Sequence, residues 1–297
     1  MSNPAVSGNP VEISQAMQWS IIGGMTVVAG LIVLATGAHR PRSVLGASPP
    51  TRDRPLAPLA AATAMALVCW LVSQGLYLMP KASGRAPPSG AAPDLSPADV
   101  AFLGTIPALL GAGVFVAMLL SSEGLWLARL GFTWQRLRRA PMVAILAILV
   151  TYPLVFWSLH GLEHFYQLIE FEHPREHEIL RLLGEQSSPA LRMALALAAI
   201  VAAPLFEELF FRGGLQTLLS RLLRAHESAG RAWLAIIVTS VPFALIHSLW
   251  MAPVIFLLSL CFGYVYQRTA NLPAVILMHA IFNATNTLYY YLNLPPT

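Results

Sequence analysis

The chain has 297 residues, of which 56% are hydrophobic and only 11% charged, and its mean hydropathy is +0.63. A soluble domain carries about 25% charged residues, so this composition argues against a water-soluble globular protein and against disordered, collagen-like or disulfide-scaffold chains. The formal net charge is only +4 and the arginines are scattered, which argues against a nucleic-acid partner.

Eight apolar stretches are predicted as membrane-spanning helices, at about 17–37, 57–79, 101–121, 141–162, 190–219, 232–250, 252–267 and 272–292. They lack strand-like alternation and most are too long for strands, and a helix satisfies its own backbone in lipid. The expected fold is therefore an all-α polytopic membrane bundle of about eight spans. The first stretch does not read as a signal peptide, because residues 1–16 contain Glu12 and no Lys or Arg. Cys69 and Cys261 sit inside apolar runs and are read as buried thiols.

Loop charge predicts the orientation. Loops 38–56, 122–140, 220–231 and 268–271 are arginine-rich, whereas loop 80–100 is balanced and loop 163–189 is acidic. Both termini are therefore expected outside the cytoplasm and the basic loops inside. Loops 38–56 and 80–100 are rich in Pro, Gly, Ser and Ala and read as connectors. The segment 173–184 is expected to form a short interfacial amphipathic helix. In domain terms, residues 1–172 are motif-free transmembrane helices and residues 173–297 the functional core.

The informative residues are polar ones at membrane depth. Glu207, Glu208 and Arg212 interrupt the fifth stretch, where a charged side chain costs ~2.5–3.5 kcal/mol on insertion scales. Glu208 and Arg212 are spaced i,i+4 and can pair on one face. Glu207 points about 100° away and has no partner in its own span. His247 lies in the sixth stretch, and His279 and Asn283 share a face of the eighth. Counting ~1.5 Å per residue from the nearest basic-loop arginine puts Glu207 ~21 Å, His247 ~24 Å, His279 ~16 Å and Asn283 ~22 Å deep. All four groups can meet at one level. The short seventh stretch leaves its hairpin with the sixth dipping below the outer surface, with His247 near a water-accessible tip. A carboxylate, two imidazoles and an amide suit hydrolysis: the carboxylate as general base on water, an imidazole orienting that water, and His and Asn N–H groups as oxyanion donors.

Three motifs carry a family resemblance: Glu207-Glu208-Leu209-Phe210-Phe211-Arg212, Phe243-Ala244-Leu245-Ile246-His247 and His279-Ala280-Ile281-Phe282-Asn283. They resemble the EExxxR, FxxxH and HxxxN motifs of the CPBP family, which holds type II CAAX prenyl proteases of the Ras-converting type and bacterial bacteriocin-processing and self-immunity (Abi-like) proteins. The likeness covers about residues 173–293. It implies a glutamic intramembrane endopeptidase acting without a metal or other cofactor on a membrane-associated protein or peptide. It assigns Glu207 with His247 to water activation, His279 with Asn283 to the oxyanion, and Glu208 with Arg212 to a supporting ion pair. If the source is bacterial, the location is the inner or plasma membrane.

Two other classes stay open at this stage: a non-catalytic scaffold or immunity protein of the same fold, and a transporter whose carboxylate relays protons. Other patterns are weaker. His160-Gly161-Leu162-Glu163-His164 fits the inverted zinc-protease pattern but lacks an evident third ligand. His173 and His177 lie among Glu172, Glu176 and Glu178, in what reads as a solvated acidic helix. Gly46-Ala47-Ser48 falls in a Pro-rich loop, and Asp53, Asp94 and Asp99 all lie in loops, which argues against an aspartyl intramembrane protease.

Overall fold

In the computed structural model the described residues are 15–45, 55–83, 95–122, 125–174, 181–182 and 188–292. They form helices joined by short turns, with no strand among them. The helices are α1 (Gln15–Thr36), α2 (Ala57–Ser83), α3 (Pro97–Ser121), α4 (Leu125–Arg129), α5 (Trp134–Leu168), α6 (Pro189–Leu222), α7 (Ala229–Leu245), α8 (Ala252–Thr269) and α9 (Leu272–Leu292). Gly46-Ala47-Ser48, His177 and most of the proposed interfacial helix lie outside the described residues.

Each of the eight apolar stretches contains a helix, but six rather than eight are long and apolar enough to cross a membrane: Trp19–Thr36, Ala57–Met79, Pro97–Ser121, Trp126–Leu168, Pro189–Leu222 and Leu249–Thr269. The two exceptions have physical causes. The α7 helix has 17 residues, about 25 Å at 1.5 Å per residue, short of a core about 30 Å thick. The α9 helix is longer, but His279, Asn283, Thr285, Asn286 and Thr287 dilute its apolar character.

The sixth stretch also ends earlier than its hydropathy indicates. Pro242 lies in the last turn of α7, and the backbone tightens there, with Ile246 N donating to Pro242 O at 3.2 Å and His247 N to Ala244 O at 3.2 Å. A 3₁₀ turn, Leu249–Met251, then leads into α8. His247 therefore belongs to the connection between α7 and α8, not to the interior of a span.

The α6 helix is central. Its N-terminal half packs on α3 and α9, and its C-terminal half meets α2, α7, α8 and α9. Close approach needs small residues: a Cβ on Gly214 would lie 2.5 Å from Thr63 Oγ1 of α2. Phe206 stacks on Trp70 at 5.6 Å between ring centres. The core there is built from Leu59, Ala66, Ala112, Phe115, Phe206 and Leu209. At the outer edge α1 packs on α5. One end of α3 is locked to α2 through Asp99: its carboxylate accepts from Ser96 N at 2.9 Å in a capping box and from Tyr77 Oη at 2.7 Å.

Candidate active site

Glu207 and Glu208 close a six-residue α-helical stretch, Ala203–Glu208, between two π-helical segments, Ala198–Ala202 and Leu209–Gln216. Such turns are rare and concentrate at functional sites. Here they flank the acidic pair on both sides.

Below the pair, α6 presents Arg212, Gln216 and Ser220 to Ser259, Gly263 and Gln267 of α8. Arg212 Nη2 donates to Ser259 Oγ at 2.7 Å and Ser259 O at 3.1 Å. Gln216 Nε2 donates to Gly263 O at 3.0 Å, and Ser220 Oγ to Gln267 Oε1 at 3.1 Å. The i,i+4 spacing is the same on both helices, so two parallel ridges interdigitate one turn at a time. In a bundle whose surroundings supply no water, this seam pairs most of the polar groups it buries, Arg212 Nε and Gln216 Oε1 being left without a partner in the protein.

Two tiers emerge around the seam. The inner one is sealed. Glu208 and Arg212 are fully buried and meet at 3.1 Å, Oε1 to Nη1. The same Oε1 accepts from His279 Nδ1 at 2.9 Å. The Arg212 guanidinium lies between two rings, 4.4 Å from the centre of Phe243 and 5.4 Å from that of Phe262. Two hydrogen-bonded partners and two ring faces compensate for the removal of this charge from water. One cation thus fastens α6, α7 and α8 together, and Glu208 carries the link on to α9.

The outer tier is partly open. Glu207 Oε2 stands 4.0 Å from His247 Nε2, and their side chains are 17% and 22% exposed. Glu207 Oε2 is itself buried and has no hydrogen-bond partner in the protein. His247 Nδ1 lies 2.7 Å from Phe243 O. A carbonyl only accepts, so Nδ1 carries a proton, and Nε2 is the ring nitrogen that faces Glu207. Phe243 O is one of the carbonyls left free where α7 ends, so the FxxxH spacing itself sets this bond.

The ring of Phe243 lies between the tiers, 5.0 Å from the His247 ring centre and 6.1 Å from that of His279. On α9, Asn283 Nδ2 donates to Ala199 O of the first π-helical segment at 2.7 Å. That bond uses one of its two N–H groups. The structure thus brings Glu207 to His247 and Glu208 to Arg212 and His279, while Asn283 is anchored to the backbone of α6. Sequence reasoning missed Ser259, Phe262, Gln216 and Gln267. The recurrence of polar residues every fourth position on two neighbouring spans signals Ser259, Gln216 and Gln267, and nothing local marks Phe262.

The weaker patterns do not converge. His160 is held against the Trp19 and Phe156 rings, at 5.3 and 4.2 Å. Glu163 faces His173 at 3.4 Å, and the His173 ring stacks on Trp250. Among the described residues no three His, Cys, Asp or Glu side chains gather as metal ligands. Cys69 and Cys261 are free thiols, both half-buried.

The acidic pair and the two imidazoles lie within a stretch whose likeness to known proteins is to a CAAX-type intramembrane protease. Residues 189–285 match the family model described as type II CAAX prenyl endopeptidase Rce1-like. The protein is a multi-pass integral membrane protein with an Rce1-like domain. Neither a curated protein nor a solved structure gives a significant match.

Proposed function

We propose that the protein is an endopeptidase that hydrolyses a peptide bond of a membrane-associated protein or peptide with a water activated by Glu207 and His247. The observation that carries this reading is the 4.0 Å separation of Glu207 Oε2 and His247 Nε2. It is too long for a direct hydrogen bond. A water about 2.8 Å from each atom, the usual O–H hydrogen-bond length, subtends about 90° between them, close to its own bond angle. Such a water donates to both acceptors and keeps its lone pairs for a carbonyl carbon.

In the reaction Glu207 takes one proton as the water oxygen bonds to the carbonyl carbon. The C–N bond then breaks and Glu207 returns that proton to the leaving amine. Asn283 retains one amide N–H to give to the oxyanion. His279 spends its Nδ1–H on Glu208, so its Nε2 donates to an oxyanion only as the imidazolium. Glu208 then counters that charge, and Arg212 holds Glu208 in place.

Comparing cells that carry wild type or Glu207→Gln at equal membrane abundance tests this reading. New peptide ends confined to wild-type membranes, read by mass spectrometry, are the expected result. Identical end profiles, with the variant still rescuing a deletion, favour a scaffold instead. A flux driven by a pH gradient and abolished by the same change favours a transporter.

A further inference from the structure

From the distribution of charge along the bundle we infer that the site opens to the non-cytoplasmic face, and that its substrate is a membrane-anchored peptide presented from that side. This rests on the hydrolytic reading above.

Residues 37–45, 129–139, 221–231 and 268–271 converge on one end of the bundle. Arg136 Nη1 donates to Ala270 O, Asn271 Nδ2 to Arg136 O at 2.9 Å, and Leu272 N to Leu130 O at 3.0 Å. Arg268 reaches Tyr264 Oη at 2.7 Å and also Thr36 O, while Ser43 Oγ lies 2.9 Å from the same hydroxyl. Val44 is buried against Ala225 and Ala232. Those four segments hold ten arginines and a single carboxylate, Glu227. Near the opposite end the described residues include Asp99, Glu163, Glu170 and Glu172 beside Lys81, Arg181 and Arg192. Short loops with a Lys/Arg excess are retained in the cytoplasm, so the first end is cytoplasmic.

The site lies toward the other end. His247 follows α7, 16 residues after Arg231, and Glu207 precedes Arg221 by 14 residues; at 1.5 Å per residue both stand roughly 20–25 Å from the arginine-bearing end. In a core about 30 Å thick that leaves them within about 10 Å of the non-cytoplasmic surface. The α7–α8 turn is tied to that surface from above: Tyr166 Oη donates to Trp250 O at 2.7 Å, and the His173 ring stacks on the Trp250 indole at 4.7 Å. Both of the partly exposed groups, Glu207 and His247, are at this turn. A scissile bond therefore reaches them by a short descent from outside the cell membrane and only by a long one from the cytoplasm.

The test is thiol labelling of the full-length protein in intact cells, with Cys69 and Cys261 first replaced by Ala. Glu172→Cys reports the side of the mouth and Arg224→Cys the arginine-bearing end. A membrane-impermeant maleimide is expected to label Glu172→Cys in intact cells, and Arg224→Cys at least tenfold less until the cells are opened. Labelling of Arg224→Cys in intact cells, or protection of Glu172→Cys until lysis, overturns the inference. Locating the new peptide ends separates the two ideas. Ends in cytoplasmic segments overturn the sidedness and leave the hydrolytic reading standing. Absence of wild-type-specific ends removes the hydrolytic reading, while the labelling still reports the orientation.

Discussion

His279 Nδ1 and Glu208 Oε1 are 2.9 Å apart and both buried, so a histidine of α9 is held by the second carboxylate of the α6 acidic pair, not by the first. The two carboxylates consequently differ in environment although they are adjacent in sequence. Glu208 is fully buried and meets Arg212 and His279 through Oε1, its Oε2 having no partner, whereas Glu207 is 17% exposed and stands beside His247 with its buried Oε2 unpartnered. A base must be reached by water and substrate and an anchor must be tied to its neighbours, and the proposed roles of Glu207 and Glu208 follow that difference in exposure and pairing.

Glu207→Gln should abolish cleavage and leave the fold intact. The change keeps shape and removes basicity, and general-base catalysis contributes typically 10²–10⁴-fold. Turnover of a substrate identified by its new ends measures the loss. An unchanged melting temperature in detergent separates it from unfolding.

Arg212→Met should act the other way, chiefly on stability. Glu208 would keep its burial and lose its main counter-charge, and breaking a buried pair costs about 3–5 kcal/mol. Glu208→Gln together with Arg212→Met removes both charges and should recover part of that loss. Thermal unfolding of the two variants and of Glu208→Gln alone gives the coupling. Additive effects within a few tenths of a kcal/mol would contradict the pairing.

Asn283→Leu should lower kcat with a smaller effect on stability. It deletes the anchoring bond to Ala199 O, worth about 1 kcal/mol, and the N–H proposed for the oxyanion, whose loss costs about 10²–10³ in kcat for comparable donors. A change confined to KM would assign Asn283 to substrate binding alone.

The helices were legible because apolar runs of 20 residues have one solution in lipid, and the fifth stretch, 190–219, became α6 with shifts of only one and three residues at its ends. The residues of the three motifs were legible because charge and imidazole are costly at that depth. Their pairing was not. That Glu208 meets His279, or that Arg212 is held by Ser259, depends on the axial register of separate spans, and no local periodicity encodes it. The π-helical segments were equally hidden, since an i→i+5 turn has the same composition as an α-helical one. The end of α7 was misread because Leu245, Ile246, Leu249 and Trp250 continue the apolar run through the turn, three of them facing outward.

Gly214→Ala tests the close approach of α2 to α6 that sets the depth of the acidic pair. The added Cβ would fall 2.5 Å from Thr63 Oγ1 and 2.8 Å from its Cγ2, and overpacking of this kind typically costs about 1–3 kcal/mol. The helical φ of this residue is open to any side chain, so the penalty comes from Thr63 rather than from backbone strain. Thr63→Ala removes both atoms. On its own it should cost little, because the Thr63 hydroxyl bonds only the Leu59 carbonyl of its own helix at 2.7 Å. In the double variant the methyl introduced by Gly214→Ala meets only the remaining Cβ of residue 63, at 3.2 Å, a contact relieved by a small shift, and stability should return to within about 1 kcal/mol of wild type. Thermal melts of the four proteins measure the cycle. A double variant no better than Gly214→Ala alone would mean that the two helices do not meet at Thr63, and that α6 sits at a different level in the bundle.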